Sequence, residues 1–217
     1  LSWHRSARRS GAPVAGDAAM RRGGFTLIEM LVVMALMCIM YVAMYSPSSK
    51  FYQERQKAVC ARNLQMIHIA LKIYAGDNHD AFPIVTGATS AEAPLSLLVP
   101  RDTADTAVFI CPGTRDRRLP EAQSFAQRTI SYAYYMGQHA TDGADQLLMS
   151  DRQVDARAKI QGEIVFSVDG TPPGRNHRRY GGNFLYIDGH VETSELHAAH
   201  DLPCPPGVVL LNPRPSP

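Results

Sequence analysis

An uninterrupted apolar run of 21 residues, positions 25–45, constrains this chain more than any other feature. At a rise of about 1.5 Å per residue, such a run forms a helix about 30 Å long, the thickness of the hydrocarbon core of a bilayer. Glu29 is its only charged residue. The run therefore predicts one membrane-spanning helix, and a carboxylate inside such a helix usually has a function because its burial in lipid is costly.

The charge of the chain is unevenly distributed. Residues 1–24 hold five arginines and one aspartate, a net charge of +4, whereas the whole chain carries +2 and the remainder therefore −2. Arginines on the N-terminal side of the span predict a cytoplasmic N-terminus. The small total charge does not favour a nucleic-acid partner. A hydrophobic fraction of 45% over 217 residues fits one globular domain with one span, and excludes a polytopic membrane protein.

A secretory signal peptide is one alternative for this N-terminal region. The apolar run is longer than the usual signal-peptide core, and the SPSSKFYQ segment that follows it offers no small-residue cleavage site. A plain signal anchor agrees better with the length, but it leaves Glu29 unexplained.

The segment MRRGGFTLIEMLVVMALM, residues 20–37, closely resembles the leader and N-terminal helix of type IV prepilins and type II secretion pseudopilins. This resemblance implies that a membrane-embedded prepilin peptidase cuts between Gly24 and Phe25 and methylates the new amine of Phe25. It also implies that Glu29 supports methylation and assembly. Residues 1–24 are then the leader, either as a long leader or with the true start at Met20.

The resemblance implies a structural subunit of a type II secretion pseudopilus or a type IV pilus, and no enzyme. Its partners would be prepilin peptidase, other pilin or pseudopilin subunits and the assembly machinery, with the chain in the bacterial inner membrane. Physically, Glu29 of one subunit can neutralise the Phe25 amine of a neighbour once both are desolvated, which fixes their register. The alternative for Glu29 is a first-turn carboxylate that the helix dipole favours.

The expected fold class is α+β and pilin-like, with a long N-terminal helix packed on a small antiparallel sheet. Pro47 predicts a kink, after which Val59, Leu64, Ile67 and Leu71 continue a helical pattern. The expected organisation is a leader (1–24), a membrane or assembly half-helix (25–46), an exposed half-helix (47–80), an α+β periplasmic domain (81–205) and a Pro-rich tail (206–217). Strands are predicted at 107–113, 129–136, 146–150, 163–168, 183–187, 190–193 and, briefly, 207–211.

A second resemblance covers the C-terminal block GEIVFSVDG…NHRRYGGNFLYIDGHVET. It is similar to the C-terminal part of prepilin-like proteins that carry a histidine, a spacer and Asp-Gly; here ten residues separate His177 from Asp188-Gly189. We assign no chemistry to this motif. Asp188-Gly189 also predicts a two-residue type I′ hairpin turn.

Catalysis is the alternative for the same block, in an uncleaved signal-anchored envelope enzyme or binding protein. His177, Asp188, His190 and Asp169 could form an acid–base or metal cluster, but turn roles for the aspartates are favoured. We therefore predict no catalytic residues, no metal ligands and no cofactor. Calcium is the one exception left open, since major pseudopilins bind it and Asp142 and Asp145 offer oxygen ligands, although without a recognisable loop pattern.

The chain contains four cysteines. Cys38 lies in the apolar run, whereas Cys60, Cys111 and Cys204 would lie in an oxidising compartment that permits disulfides. Cys60–Cys111 is the favoured pair, although spacing alone cannot fix the connectivity. The chain has no Cys-x-x-Cys zinc signature.

Overall fold

The computed structural model describes residues 25–45, 50–116 and 124–215. The chain divides into two compact units, Leu1–Val42 and Ala43–Pro217. Gly24, on one side of the predicted cleavage site, lies outside the described residues, as does Pro47 with its predicted kink. We use the name head for residues 50–116 and 124–215.

Helix α1, Leu27–Tyr45, forms from the apolar run. None of its 19 residues is buried. Such all-round apolarity is typical of a helix that spans a membrane or joins a bundle. By length and composition α1 can cross a membrane, as the sequence predicted.

Helix α2, Lys50–Asp77, is amphipathic and packs on the sheet. Cys60, Leu64, Ile67 and Leu71 are fully buried, and their spacing of four, three and four residues places them on one face. Val59, which was expected on this face, is 43% exposed because Cys60 occupies the buried position beside it.

The head contains a five-stranded antiparallel sheet, together with the short helix α3, Glu92–Leu95. Its strands are β1 (Tyr132–Met136), β2 (Leu147–Asp151), β3 (Gly182–Tyr186), β4 (Val191–Ser194) and β5 (Val209–Leu211). Their order across the sheet is β4-β3-β2-β1-β5. The segment predicted as a Pro-rich tail therefore supplies an edge strand that pairs with β1.

Both faces of the sheet are covered. Side chains alternate along β1, so Tyr132 and Tyr134 pack with the buried face of α2, whereas Ala133 and Tyr135 pack with the segment around Val165 on the other side. This arrangement confirms the predicted α+β, pilin-like fold class.

Two predicted strands are wrong. Residues Thr106–Phe109 form a 3₁₀ turn, which begins where the Asp105 side chain accepts a hydrogen bond from the backbone N–H of Ala107. Residues 163–168 contribute only an isolated bridge between Ile164 and His197. Their apolar side chains cover a face of the sheet, and a short apolar run does not distinguish such a buried segment from a strand.

The predicted β3–β4 hairpin is present, but its turn type was wrong. The backbone N–H of Gly189 donates to the carbonyl of Tyr186 (3.0 Å), and Gly189 takes a φ of +94° whereas Asp188 is not in the positive-φ region. A type I′ turn needs positive φ at both central residues. A Cβ added at Gly189 would lie 2.7 Å from the His68 ring, so glycine also allows α2 to pack against this turn.

Candidate functional site

The N-terminal motif forms a capping box at the start of α1. The Thr26 hydroxyl accepts a hydrogen bond from the Glu29 backbone N–H (3.3 Å), and the Glu29 carboxylate accepts one from the Thr26 backbone N–H (3.5 Å). Ser or Thr followed three residues later by Glu is the sequence signature of this reciprocal cap. Glu29 thus satisfies its own helix end, the alternative considered from the sequence. Phe25, beside it, is 71% exposed.

Beyond this cap, the surface of α1 is almost entirely apolar. Its apolar side chains are exposed around the whole helix, and its cysteine, Cys38, is a free, exposed thiol. The arrangement suits packing against lipid or other apolar helices.

A second candidate site lies in the head, where α2 meets the segment after the Thr106–Phe109 turn. Cys60 of α2 and Cys111 are joined as a disulfide, with their Cα atoms 5.5 Å apart. This is the pair favoured from the sequence, and both residues are at most 1% exposed. Cys204 is a partly buried free thiol.

An ionisable pair lies against this disulfide. His177 Nε2 is 3.5 Å from Cys111 Sγ and 3.4 Å from Asp151 Oδ2. One potential ligand atom from each of Cys60, Cys111, Asp151 and His177 lies within 4.8 Å of the other three, and all four residues are buried. We call these four residues the buried cluster.

Local backbone geometry brings His177 into place. An added Cβ at Gly113, just after Cys111, would lie 2.1 Å from the carbonyl oxygen of Asn176 and 3.0 Å from His177 Nδ1. Only glycine therefore lets the Cys111 turn approach the His177 segment so closely. His177 Nδ1 has no hydrogen-bond partner among the residues that the structure describes, and Nε2 is the nitrogen that lies against Cys111 and Asp151.

Asp151 is held by amide donors. The backbone N–H of Asn183 donates to Asp151 Oδ2 (2.7 Å), and its side-chain amide donates to the same oxygen (3.0 Å). The Asn176 side-chain amide donates to Oδ1. These donors satisfy both carboxylate oxygens of Asp151 at a fully buried position.

Lys57 lies one turn before Cys60 and is also buried. Its ammonium donates to the carbonyls of Tyr180 (2.7 Å) and Ser194 (3.1 Å). Burial lowers the pKa of Lys57 below its ordinary value of 10.5, although the negative charge of Asp151 acts in the opposite direction. The buried cluster thus has a cation close by in the head.

Arg152 extends the polar interior beyond the cluster. It donates to Asp116 at 2.6 Å, and both side chains are almost fully buried, at 1% and 0% exposure. Asp116 also accepts a hydrogen bond from the Ser131 hydroxyl at 2.6 Å.

The His177–Asp188-Gly189 motif does not form one site. His177 precedes β3 and is buried in the cluster, whereas Asp188 follows β3 and accepts a hydrogen bond from the exposed His190 (2.6 Å). Asp169 accepts from Ser167 and Thr171 in a separate exposed turn. The cluster considered from the sequence therefore does not assemble among the residues that the structure describes.

The calcium candidates lie in the β1–β2 connection. Asp142 accepts a hydrogen bond from the backbone N–H of His139 (2.7 Å), as in an ordinary turn. Asp145 lines a surface groove with Tyr186 and His190. Within the described ranges, neither aspartate joins a group of three or more His, Cys, Asp or Glu ligands.

Sequence reasoning missed the partners that surround the disulfide. Asp151 was not singled out, because it follows an apolar strand with no spacing that relates it to a cysteine. Asn183 and Lys57 were missed for the same reason. The only local signal was the position of Asp151 and Arg152, two charged residues at the end of the buried strand β2.

Comparison with known proteins adds information on the N-terminal region alone. Residues 19–45 match the family model described as the prokaryotic N-terminal methylation motif. No curated protein and no solved structure matches the chain.

Proposed function

We propose that this chain, a type IV prepilin-like protein by its N-terminal methylation motif, is the precursor of a filament subunit. Prepilin peptidase cuts it between Gly24 and Phe25 and methylates Phe25, and the mature chain assembles with other pilin subunits. The filament is a type II secretion pseudopilus or a type IV pilus. The chain acts as a structural component in the inner membrane, with the head on the periplasmic side, and not as an enzyme.

The observation that carries this proposal is the combination of the methylation motif with an apolar helix that buries none of its residues. Such a surface is stable in lipid, and it is equally stable against the same helix of a neighbouring subunit. Assembly then exchanges lipid contacts for helix contacts, with little change in apolar burial.

Glu29 supplies the specificity that apolar packing lacks. In the described part of the single chain, the Glu29 carboxylate accepts a hydrogen bond from the Thr26 backbone N–H at 3.5 Å, which is long for a hydrogen bond. Giving up this weak contact for the charged amine of a neighbour's Phe25 is therefore favourable. A pair of desolvated charges fixes the axial position of one subunit on the next.

The capping box allows a sharp test, because glutamine can replace glutamate in such a cap but carries no charge. We expect Glu29→Gln to insert in the membrane with α1 intact, but to be lost from filaments in the native host. Thr26→Ser, which keeps the charge and a capping hydroxyl, is the matched control and should assemble normally. Normal incorporation of Glu29→Gln would contradict the pairing of Glu29 with Phe25.

The mature N-terminus tests the proposal as a whole. Mass spectrometry of the chain purified from host membranes should find N-methylated Phe25 as the first residue. A chain that still begins upstream of Gly24 in cells with active prepilin peptidase would instead support the alternative of an uncleaved signal-anchored envelope protein.

A further inference from the structure

We propose that the buried cluster of Cys60, Cys111, Asp151 and His177 is a zinc-binding site of the head when its two cysteines are reduced. This site is independent of the filament role, because all four ligands lie in the head. Cys60 of α2 and Cys111 would then be linked in one of two ways, by a disulfide or by a shared metal ion.

The geometry of the cluster is close to that of a tetrahedral site. Zinc bonds of about 2.0–2.3 Å place neighbouring ligand atoms about 3.3–3.8 Å apart. The separations from His177 Nε2 to Cys111 Sγ and to Asp151 Oδ2, 3.5 and 3.4 Å, already fall in this range. With all four atoms within 4.8 Å of one another, separation of the two sulfurs is the main change required.

The donor set selects the class of metal. Two thiolates, one imidazole and one carboxylate match zinc, whereas calcium and magnesium prefer oxygen ligands alone. Four protein ligands without an open position are typical of structural rather than catalytic zinc. Full burial of the cluster agrees with a structural site.

The surroundings of Asp151 resemble those of a ligating carboxylate in a metal site. Ligating carboxylates in such sites are themselves hydrogen-bonded, and Asp151 receives three hydrogen bonds from Asn183 and Asn176. Zinc with two thiolates and one carboxylate carries a net charge of −1. The buried ammonium of Lys57, which already interacts with Asp151, partly compensates this charge.

The conversion between the two states balances. A dithiol reductant transfers two electrons and two protons to the Cys60–Cys111 disulfide, which gives two thiols and the oxidised, cyclic reductant. A zinc ion then displaces the two thiol protons and binds both sulfurs, His177 Nε2 and Asp151. Because both sulfurs are at most 1% exposed, the metal enters during folding of the reduced chain or after the head opens.

The test uses the full chain in detergent micelles, unfolded with a thiol reductant and refolded with either zinc or a chelator. We expect one zinc ion per chain by elemental analysis after desalting. Refolding with cobalt in place of zinc should give the absorption of tetrahedral cobalt together with a thiolate-to-cobalt charge-transfer band. The disulfide-bonded chain should bind neither ion.

Matched variants assign the ligands. His177→Gln and Asp151→Asn should weaken zinc binding about 100-fold or more, since even outer-layer changes reduce metal affinity about 10–100-fold. The controls are His190→Gln and Asp188→Asn, from an exposed histidine–aspartate pair elsewhere in the head, and Cys204→Ser. These should bind zinc as the unsubstituted chain does.

Three results would overturn the proposal: a reduced chain without stoichiometric metal, equal zinc binding by the disulfide-bonded chain, or cluster variants that bind as well as the controls. Circular dichroism of the disulfide-bonded variants shows whether each one folds. If a cluster variant does not fold, the cobalt spectrum of the unsubstituted chain tests whether the cysteines bind the metal. Absence of the thiolate-to-cobalt band would exclude cysteine ligands and overturn the proposal.

Discussion

Helix α1 and the head use polar groups in opposite ways. In α1 no residue is buried and one carboxylate lies beside the helix start, whereas the head encloses Lys57, Asp151, Arg152 and His177. Changes in α1 should therefore alter membrane insertion and assembly, and leave the stability of the head unchanged. Changes to the buried polar groups should instead lower the stability of the head and leave membrane insertion unchanged.

The Arg152–Asp116 pair should give the largest loss of stability. Removing one partner of a buried ion pair leaves the other charge uncompensated, which costs about 3–5 kcal/mol. We expect Arg152→Met to lower the free energy of unfolding of the head by that amount. Urea unfolding in detergent, followed by near-ultraviolet circular dichroism of the tyrosines, measures the change.

Arg101→Met is the matched control for this substitution. Arg101 pairs with Asp77 at 2.5 Å, but the two side chains are 64% and 53% exposed, and such pairs contribute about 0–1 kcal/mol. Val33→Ala in α1 should leave head unfolding unchanged. Equal losses from Arg152→Met and Val33→Ala would contradict the difference between the head and α1, whereas equal losses from Arg152→Met and Arg101→Met would show that burial of the ion pair does not set its contribution.

Removal of the Cys60–Cys111 disulfide should give the second-largest loss of stability of the head. Cys60 and Cys111 are separated by 51 residues in sequence, and closing such a loop in the unfolded chain typically stabilises a protein by about 2–4 kcal/mol. We expect this loss in the double variant Cys60→Ser, Cys111→Ser, measured by the same unfolding assay without metal. Cys38→Ser should cause no loss, since that thiol is free and exposed in α1.

His68 should have a smaller effect. Its Nε2–H donates to the carbonyl of Ile187 (2.9 Å) and so connects α2 with the β3–β4 hairpin. His68→Ala should destabilise the head by about 0.5–1.5 kcal/mol, the usual net value of one hydrogen bond. Ile69→Gln, at a 54% exposed position of the same helix, should be close to neutral. The opposite ranking would mean that α2 contacts another surface through Ile69.

The smallest effect is expected at Asp155, and it depends on pH. Partial burial raises the pKa of Asp155, but hydrogen bonds from Lys159 and Arg157 outweigh burial and hold the pKa below its ordinary value of 3.8. The stabilisation is therefore present above pH 3.8 and is lost as the pH falls through the lower value of the folded state. The Lys159 side chain is buried, but Asp155→Asn keeps a side-chain oxygen that can accept from its ammonium, so only the charge of the partly exposed carboxylate is lost. Asp155→Asn should therefore be less stable than the unsubstituted chain at neutral pH by about 1 kcal/mol or less. This difference should disappear in acid, and a constant difference across the range would exclude the ionic contribution.

The sequence predicted α1 and its motif well because that information is local. The signals that predicted it all come from the N-terminal 45 residues: the basic charge, the apolar run and the order of Gly24, Phe25 and Glu29. The strands with strong apolar patterns were also predictable. The buried cluster was not, because Asp151 and His177 join Cys60 and Cys111 only after α2 has packed on the sheet, and no sequence spacing encodes that contact.

The errors in the head have the same origin. Residues 163–168 have the composition of a strand, yet Val165 and Phe166 pack on one face of the sheet and the segment makes only an isolated bridge. The turn at Asp188-Gly189, which differs from type I′, is in contact with α2 through His68. In both places tertiary packing overrides a local preference.

The position of β5 bears on when the head can finish folding during synthesis. β5 follows every other strand along the chain, yet its partner is β1, the first strand. The membrane helix leaves the ribosome early, while the strand that completes the sheet edge arrives late. Until then β1 has an unpaired edge, which is a site for wrong pairing between crowded nascent chains. The edge of the sheet can therefore be completed only once the C-terminal residues of β5 have been synthesised.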